Sequence, residues 1–196
     1  LPGGAHMKSA TSNSLGLDLT GRTAFITGGT GAIGGAAAHA LHECGAAVVV
    51  AGRNPPSQNE PGITFLELDV ASEHSVANAA AHLTQSSGHL DILVLAHGVQ
   101  NRKPFAAYSL EEWEMVIRTN LTGTFLVCKA FEPLLSKSAA GRIIGITSLT
   151  AKMGLPNTAP YAASKGGMQQ FLMCLAIELA PKKVTFTFSL GVICWT

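Results

Sequence analysis

The sequence is short of charge. Of 196 residues, 13 are Lys or Arg and 12 are Asp or Glu, a net +1 with histidine neutral. The cations are scattered, so the basic cluster that nucleic acid or an anionic membrane surface would need is missing. Cys44, Cys128, Cys174 and Cys194 have neither metal-ligand spacing nor the density of a disulfide scaffold. No metal is expected, and a reducing, cytoplasmic setting is the default. Long apolar runs are also lacking: Ala46–Ala51 and Ile92–Ala96 are strand-sized, against the roughly 18 residues of a membrane span. Residues 1–20 show neither the basic start nor the apolar stretch of a secretory signal and read as a flexible leading segment. Residues 21–196 then form one domain, because the chain is too short for two ordinary ones. Small molecules are the expected partners.

What is present is a rhythm. Short apolar runs at Thr23–Thr27, Ala46–Ala51, Ile63–Leu68, Asp91–Ala96, Arg142–Thr147 and Val184–Ser189 alternate with helical stretches near Ala32–Cys44, Ser72–Ser86, Ser109–Leu135 and Ala159–Ala180. Strand and helix in turn mean parallel βαβ units, hence an α/β chain with six strands in one doubly wound sheet. Several runs are rich in β-branched residues without alternation, as strands covered on both faces are. Ser109 with Glu112 predicts a capping box, and Ser72 predicts another helix start.

The first strand leads into Thr27-Gly28-Gly29-Thr30-Gly31-Ala32-Ile33-Gly34 and then a helix. Glycines let the backbone turn tightly and approach a pyrophosphate, while the helix start offers unpaired N–H groups and a partial positive charge. Roughly 20 residues on, where an NAD site carries an acid for the ribose hydroxyls, stands Arg53. Its planar fork suits a 2′-phosphate, which favours NADP(H) over the alternative NAD(H); a solvated loop arginine is the plainer reading. Asp69, closing the third strand, is either an acceptor for an adenine amine or a turn residue.

Tyr161 and Lys165 lie four residues apart in Tyr161-Ala162-Ala163-Ser164-Lys165, on one face of a helix, so an ammonium can act on the phenol. Free tyrosine titrates near pH 10, and proton exchange near neutrality needs such a stabilised anion. Ser148, just past the fifth strand, can hold a substrate oxygen, and Asn120 lies in the preceding helix.

The turn at Thr27–Gly34, Asp69, Asn120-Leu121-Thr122-Gly123, Ser148 and Tyr161–Lys165 together resemble the short-chain dehydrogenase/reductase family over roughly Leu19 to Val192. The resemblance implies a Rossmann-type fold and hydride transfer between a nicotinamide cofactor and a carbonyl or alcohol. It implies Tyr161 as proton donor or acceptor, Ser148 orienting the carbonyl, Lys165 binding the nicotinamide ribose and lowering the tyrosine pKa, and Asn120 holding a relay water. It further implies cofactor contacts at Gly28, Thr30, Ala32, Ile33, Gly34, Arg53, Asp69, Val70, Ala96, Gly98, Tyr161, Lys165 and Val192, and a homodimer or homotetramer built on the helices near Ser109–Leu135 and Ala159–Ala180.

Three departures stand out. Ala32 takes the place of the family's middle turn glycine, and Leu95-Ala96-His97-Gly98 stands where many members carry Asn-Asn-Ala-Gly. The usual asparagine hydrogen bonds are thereby lost, and His97 reads as a loop residue lining the cofactor site. Members also continue through a substrate-covering loop, further helices and a seventh strand, whereas this sequence stops at Thr196, with Leu190 and Trp195 replacing the family's proline and threonine. The expectation is a C-terminally incomplete domain whose last strand exposes Phe186, Phe188 and Trp195. A fragment, a truncated product or coverage by a partner would each account for it.

The stretch Val99-Gln100-Asn101-Arg102-Lys103-Pro104-Phe105 resembles the loop of gluconate 5-dehydrogenases, where adjacent cations would take a substrate carboxylate, with Arg102, Ser148 and Tyr161 as the substrate contacts. A solvated basic loop is the plainer reading of Arg102. Reduction of 3-oxoacyl groups on a carrier protein is the alternative activity, and a non-catalytic Rossmann module the alternative of another class.

Overall fold

In the computed structural model, which describes residues 16–56 and 60–189, the six apolar runs become β1 (Thr23–Thr27), β2 (Ala47–Gly52), β3 (Ile63–Glu67), β4 (Ile92–Leu95), β5 (Arg142–Ile146) and β6 (Thr185–Ser189). They form one sheet in the order β3-β2-β1-β4-β5-β6, and every neighbouring pair is parallel. The direction of winding reverses between β1 and β4, the place where such sheets open a ligand crevice at the carboxyl ends of the strands.

Side chains alternate across β1. Ala24 and Ile26 join Val48, Val50, Ile92 and Val94 on the face covered by α1 (Ala32–Glu43) through Ala38. Phe25, Leu93 and Leu95 face the larger core under α2 (Glu73–Ser86), α4 (Gly123–Leu135) and α5 (Ala159–Leu179), where the rings of Phe25 and Phe131 stand 4.5 Å apart. Helices on both faces explain why the central strands β1 and β4 are buried along their whole length. Leu19, which the sequence reading leaves in the leading segment, is part of the fold: its N–H donates to Cys44 O at 2.7 Å and its side chain packs on the core under α1.

Both expected helix starts carry their caps. Ser72 accepts from Ser75 N, and Ser109 and Glu112 cap reciprocally, each device stabilising its helix by about 1 kcal/mol. The long helix expected over Ser109–Leu135 is not one regular element. It comprises α3 (Leu110–Ile117), a single π-helical turn at Arg118–Thr122, and α4. A π turn holds one extra residue and redirects the side chains within it, and Asn120 is at its centre.

Among the described strands β6 is at an edge, but Phe186 and Phe188 are half-buried against the main core rather than exposed. They alternate with Thr185, Thr187 and Ser189, which keep the apolar side on α5 and the polar side outward. Trp195 and Leu190 lie outside the described residues. Among the described residues no helix is long and apolar enough to cross a membrane.

Candidate active site

The carboxyl ends of β1 to β4 border a cleft of about 340 Å³. It brings together Gly28 and Thr30 from the glycine turn, Arg53 after β2, Asp69 and Val70 after β3, and Ala96 and Gly98 after β4. These residues are far apart in sequence and meet because the parallel strands all end on the same side. Asn54 and Thr119 also line the cleft, and neither carries a sequence signal.

The turn is tight. Gly28 has φ +66, and a Cβ there would stand 2.8 Å from the His97 backbone. A Cβ on Gly34 would stand 2.3 Å from the Gly28 carbonyl oxygen, so Gly34 is what lets α1 close against the turn. Gly31 caps α1 without a side chain, leaving the first N–H groups of the helix to whatever approaches them. Ala32 and Ile33, at that helix start, are exposed, so the extra methyl of Ala32 displaces nothing in the packing. Thr30 sits over Gly52, its Oγ1 3.0 Å from where a Cβ would be, with exposed Arg53 next in the chain. Asp69 closes its own turn by accepting from Ala71 N at 2.9 Å and is exposed. Val192 lies outside the described residues.

The four candidate catalytic residues converge beside this cleft. Asn120, fully buried, accepts from Val99 N at 2.8 Å and donates to Val99 O and Ser164 Oγ, both at 2.9 Å. Both amide protons are thus spent as a brace between the loop after β4 and α5. Ser148 is also fully buried, and its Oγ accepts from Thr150 N and Thr150 Oγ1, which leaves its own proton free for the Tyr161 oxygen. The Lys165 ammonium, 3% exposed, donates to Ile146 O at 2.8 Å and lies 5.9 Å from the centre of the Tyr161 ring. A Cβ on Gly98 would stand 3.3 Å from Asn120 Oδ1 and 3.5 Å from Lys165 Nζ, so this glycine keeps the floor between the cleft and the ammonium open.

The electrostatics differ from the sequence expectation in one respect. Burial pushes the Tyr161 phenol up from its ordinary value, opposed by the hydrogen bond from Ser148, and burial pulls the Lys165 ammonium down to about 8. The ammonium is 5.9 Å from the centre of the phenol ring, and the largest influence on the phenol is burial. The ammonium is turned to the Ile146 carbonyl, and low dielectric penalises the charged forms of both groups. His97, expected as a lining residue, does border the cleft but is buried, with Nδ1 2.7 Å from Thr27 Oγ1 and Nε2 3.3 Å from Thr124 Oγ1.

Arg102 lies exposed on the loop after β4. The neighbouring cation expected to share its role is engaged elsewhere: Lys103 forms a short ion pair with Glu112, whose carboxyl it holds down at about 2, and stacks on the Tyr108 ring. Tyr108, which carries no sequence signal, donates its hydroxyl to Asn101 O at 2.6 Å and lies 3.1 Å from Asn157 O. It fastens the loop after β4 to the loop before α5.

Residues 22–192 match the sequence family described as short chain dehydrogenase. The chain is 36% identical over 171 residues to an oxidoreductase of Thermotoga maritima, spanning 83% of this chain and 67% of that protein. It is 33% identical to a 3-oxoacyl-[acyl-carrier-protein] reductase of Aquifex aeolicus (86% and 72% covered) and 31% identical to a 5-keto-D-gluconate 5-reductase of Escherichia coli (83% and 67%). A putative short-chain alcohol dehydrogenase from Sinorhizobium meliloti superposes with a TM-score of 0.81 at 29% identity, over 89% of this chain and 73% of that one.

Proposed function

Because the chain belongs to the short chain dehydrogenase family, whose members are oxidoreductases of alcohols and carbonyls, we propose that it is an NADP(H)-preferring enzyme that reduces a carbonyl or oxidises a secondary alcohol. The observation that carries this reading is the convergence of Ser148, Tyr161, Lys165 and Asn120 beside the 340 Å³ cleft. The residues present fit a dinucleotide. Gly28 and Gly34 let the turn and α1 close tightly so that the helix start faces the cleft, Arg53 offers a fork for a 2′-phosphate, and Lys165, with two donors taken by Ile146 O and Met168 Sδ, keeps one beside Gly98.

When bound, the nicotinamide supplies or accepts the hydride. The protein's part is to hold the substrate oxygen and manage its proton. Tyr161 gives a proton to that oxygen in reduction and takes one in oxidation, Ser148 donates the hydrogen bond that fixes the oxygen, and Lys165 would hold the nicotinamide ribose. Burial pushes the phenol up from its ordinary value, favouring the protonated form that reduction requires. Asn120 secures α5 through Ser164, the residue before Lys165.

For substrate we propose a keto-sugar acid, with exposed Arg102 meeting its carboxylate beside Ser148 and Tyr161. The capture of Lys103 by Glu112 removes one of the two expected cations and favours a second reading, reduction of a 3-oxoacyl thioester. Exposed Leu110, Phe125, Met173 and Ile177 on α3 to α5 support a homodimer or homotetramer. The free thiols at Cys44, Cys128 and Cys174 suit a reducing, cytoplasmic setting.

The decisive assay follows NADPH absorbance with 5-keto-D-gluconate, acetoacetyl thioesters and simple ketones, for wild type and Tyr161→Phe. Turnover that vanishes in the variant while NADPH still binds supports the mechanism; retained turnover ends it. Confinement to the thioesters ends the sugar-acid reading. Arg53→Asp should weaken NADPH far more than NADH, and equal losses refute the cofactor preference.

A further inference from the structure

His97 is a buried histidine that the chemistry above does not use, at the position where the sequence leaves its family's pattern. Both ring nitrogens have partners, and the partners belong to opposite walls of the site. Thr27 ends β1 and opens the glycine turn; its Oγ1 is 2.7 Å from Nδ1. Thr124 follows the π turn; its Oγ1 is 3.3 Å from Nε2 and donates to the Asn120 carbonyl at 2.7 Å.

The proton assignment follows from counting. A hydroxyl has one proton. Thr124 spends its own on Asn120 O, so it can only accept from His97, which makes Nε2 the N–H. Thr27 has Val94 O at 3.2 Å as a rival acceptor, and if it donated there, Nδ1 would also need a proton and the ring would be a cation. Burial and the nearby Lys165 ammonium pull the imidazole down to about 3, which favours a neutral ring. A neutral ring that keeps both contacts as hydrogen bonds has Thr27 donating to Nδ1, the shorter of that hydroxyl's two contacts.

Resting on the dinucleotide-dependent reading above, we propose that His97 is a positioning residue: as the neutral Nε2–H imidazole it links Thr27 to Thr124 and so fixes the cofactor turn relative to the turn that carries Asn120.

Two variants divide the link. Asparagine at 97 reaches about as far as Nδ1 and keeps the Thr27 bond, whereas glutamine reaches about as far as Nε2 and keeps the Thr124 bond. His97→Asn should hold NADPH within about threefold of wild type and lose about tenfold in kcat, and His97→Gln should do the reverse. Thr27→Val should reproduce His97→Gln. Parallel losses in both parameters for both histidine variants, tracking Tm, would reduce His97 to a packing residue and overturn the proposal. The ring itself is read by ¹⁵N-histidine NMR of the full chain, with His97→Asn to assign its signal. A neutral Nε2–H pattern from pH 8 to pH 5 is expected, and a cation at pH 7 or titration near 6.5 would overturn the assignment. Wild type that binds no NADPH would sink the enzyme reading instead, while the NMR result would still stand.

Discussion

Two glycines three residues apart in the same turn should respond very unequally to one added methyl. At Gly34 a Cβ would stand 2.3 Å from Gly28 O and 2.9 Å from Gly29 Cα, both backbone atoms that no rotamer change can move. Restoring ordinary contact needs α1 to withdraw by roughly 1 Å, an overpacking strain of about 1–3 kcal/mol. For a chain of this size that is about 3–10 °C in Tm. The same withdrawal takes the N–H groups of the helix start away from an anion, costing charge-assisted bonds of about 1.5–3 kcal/mol, or about 10–100-fold in NADPH affinity. At Gly31 a Cβ meets only Gly28 O, at 3.4 Å, and φ is −87, which alanine adopts freely. Gly31→Ala should lose no more than about 1 kcal/mol as a poorer N-cap and bind NADPH within a few-fold of wild type. Thermal melts and NADPH fluorescence titration on both variants test this. Equal effects at the two positions, or wild-type NADPH binding by Gly34→Ala, would refute the steric argument.

Other perturbations follow from the same geometry. Asp91, 2% exposed, accepts from Arg22, Ser138 and Thr23 N, and although burial raises its pKa these bonds hold it below the ordinary value. Asp91→Asn should cost about 2–4 kcal/mol in urea unfolding at pH 7. A lowered carboxyl stabilises above its unfolded pKa, so the gap to wild type should close as pH falls below about 4; a constant gap would contradict the charge assignment. Lys165, drawn down to about 8 by burial, sheds its proton in the folded state before the unfolded one does. Wild-type stability should therefore gain from this group as pH rises from 8 to 9.5, and Lys165→Met should flatten that rise in a Tm series. Tyr108→Phe removes the hydroxyl that holds Asn101 O and Asn157 O, and should raise KM by about 3–10-fold with kcat nearly kept; a selective fall in kcat would place Tyr108 in the chemistry instead.

Much of this was readable in advance, for identifiable reasons. The six strands advertise themselves because apolar runs with helices between them have few other uses, and the strand limits agree to within about a residue. Tyr161 and Lys165 were legible because i and i+4 on a helix need no tertiary knowledge. The π turn was not, since one inserted residue hardly disturbs apolar periodicity over so long a stretch. The partners of His97 were hidden because Thr27 and Thr124 come 70 and 27 residues away in the chain. Glu112 was read correctly as a capping residue, yet its second carboxyl oxygen also takes Lys103 and Asn101, which sequence spacing does not reveal. Burial, which pushes the Tyr161 phenol up, is invisible in a pair of letters.

The Tyr108 fastening has a bearing on how this scaffold can be re-engineered. Asn157 holds a left-handed backbone at φ +62 while its carbonyl meets the phenol, so the loop after β4 and the loop before α5 act as a single jaw. Grafting one loop from a relative without the other would leave a tyrosine or a carbonyl with nothing to grip. Replacing either loop in this protein is therefore a two-segment exchange, with Tyr108 and Asn157 transferred together or kept together.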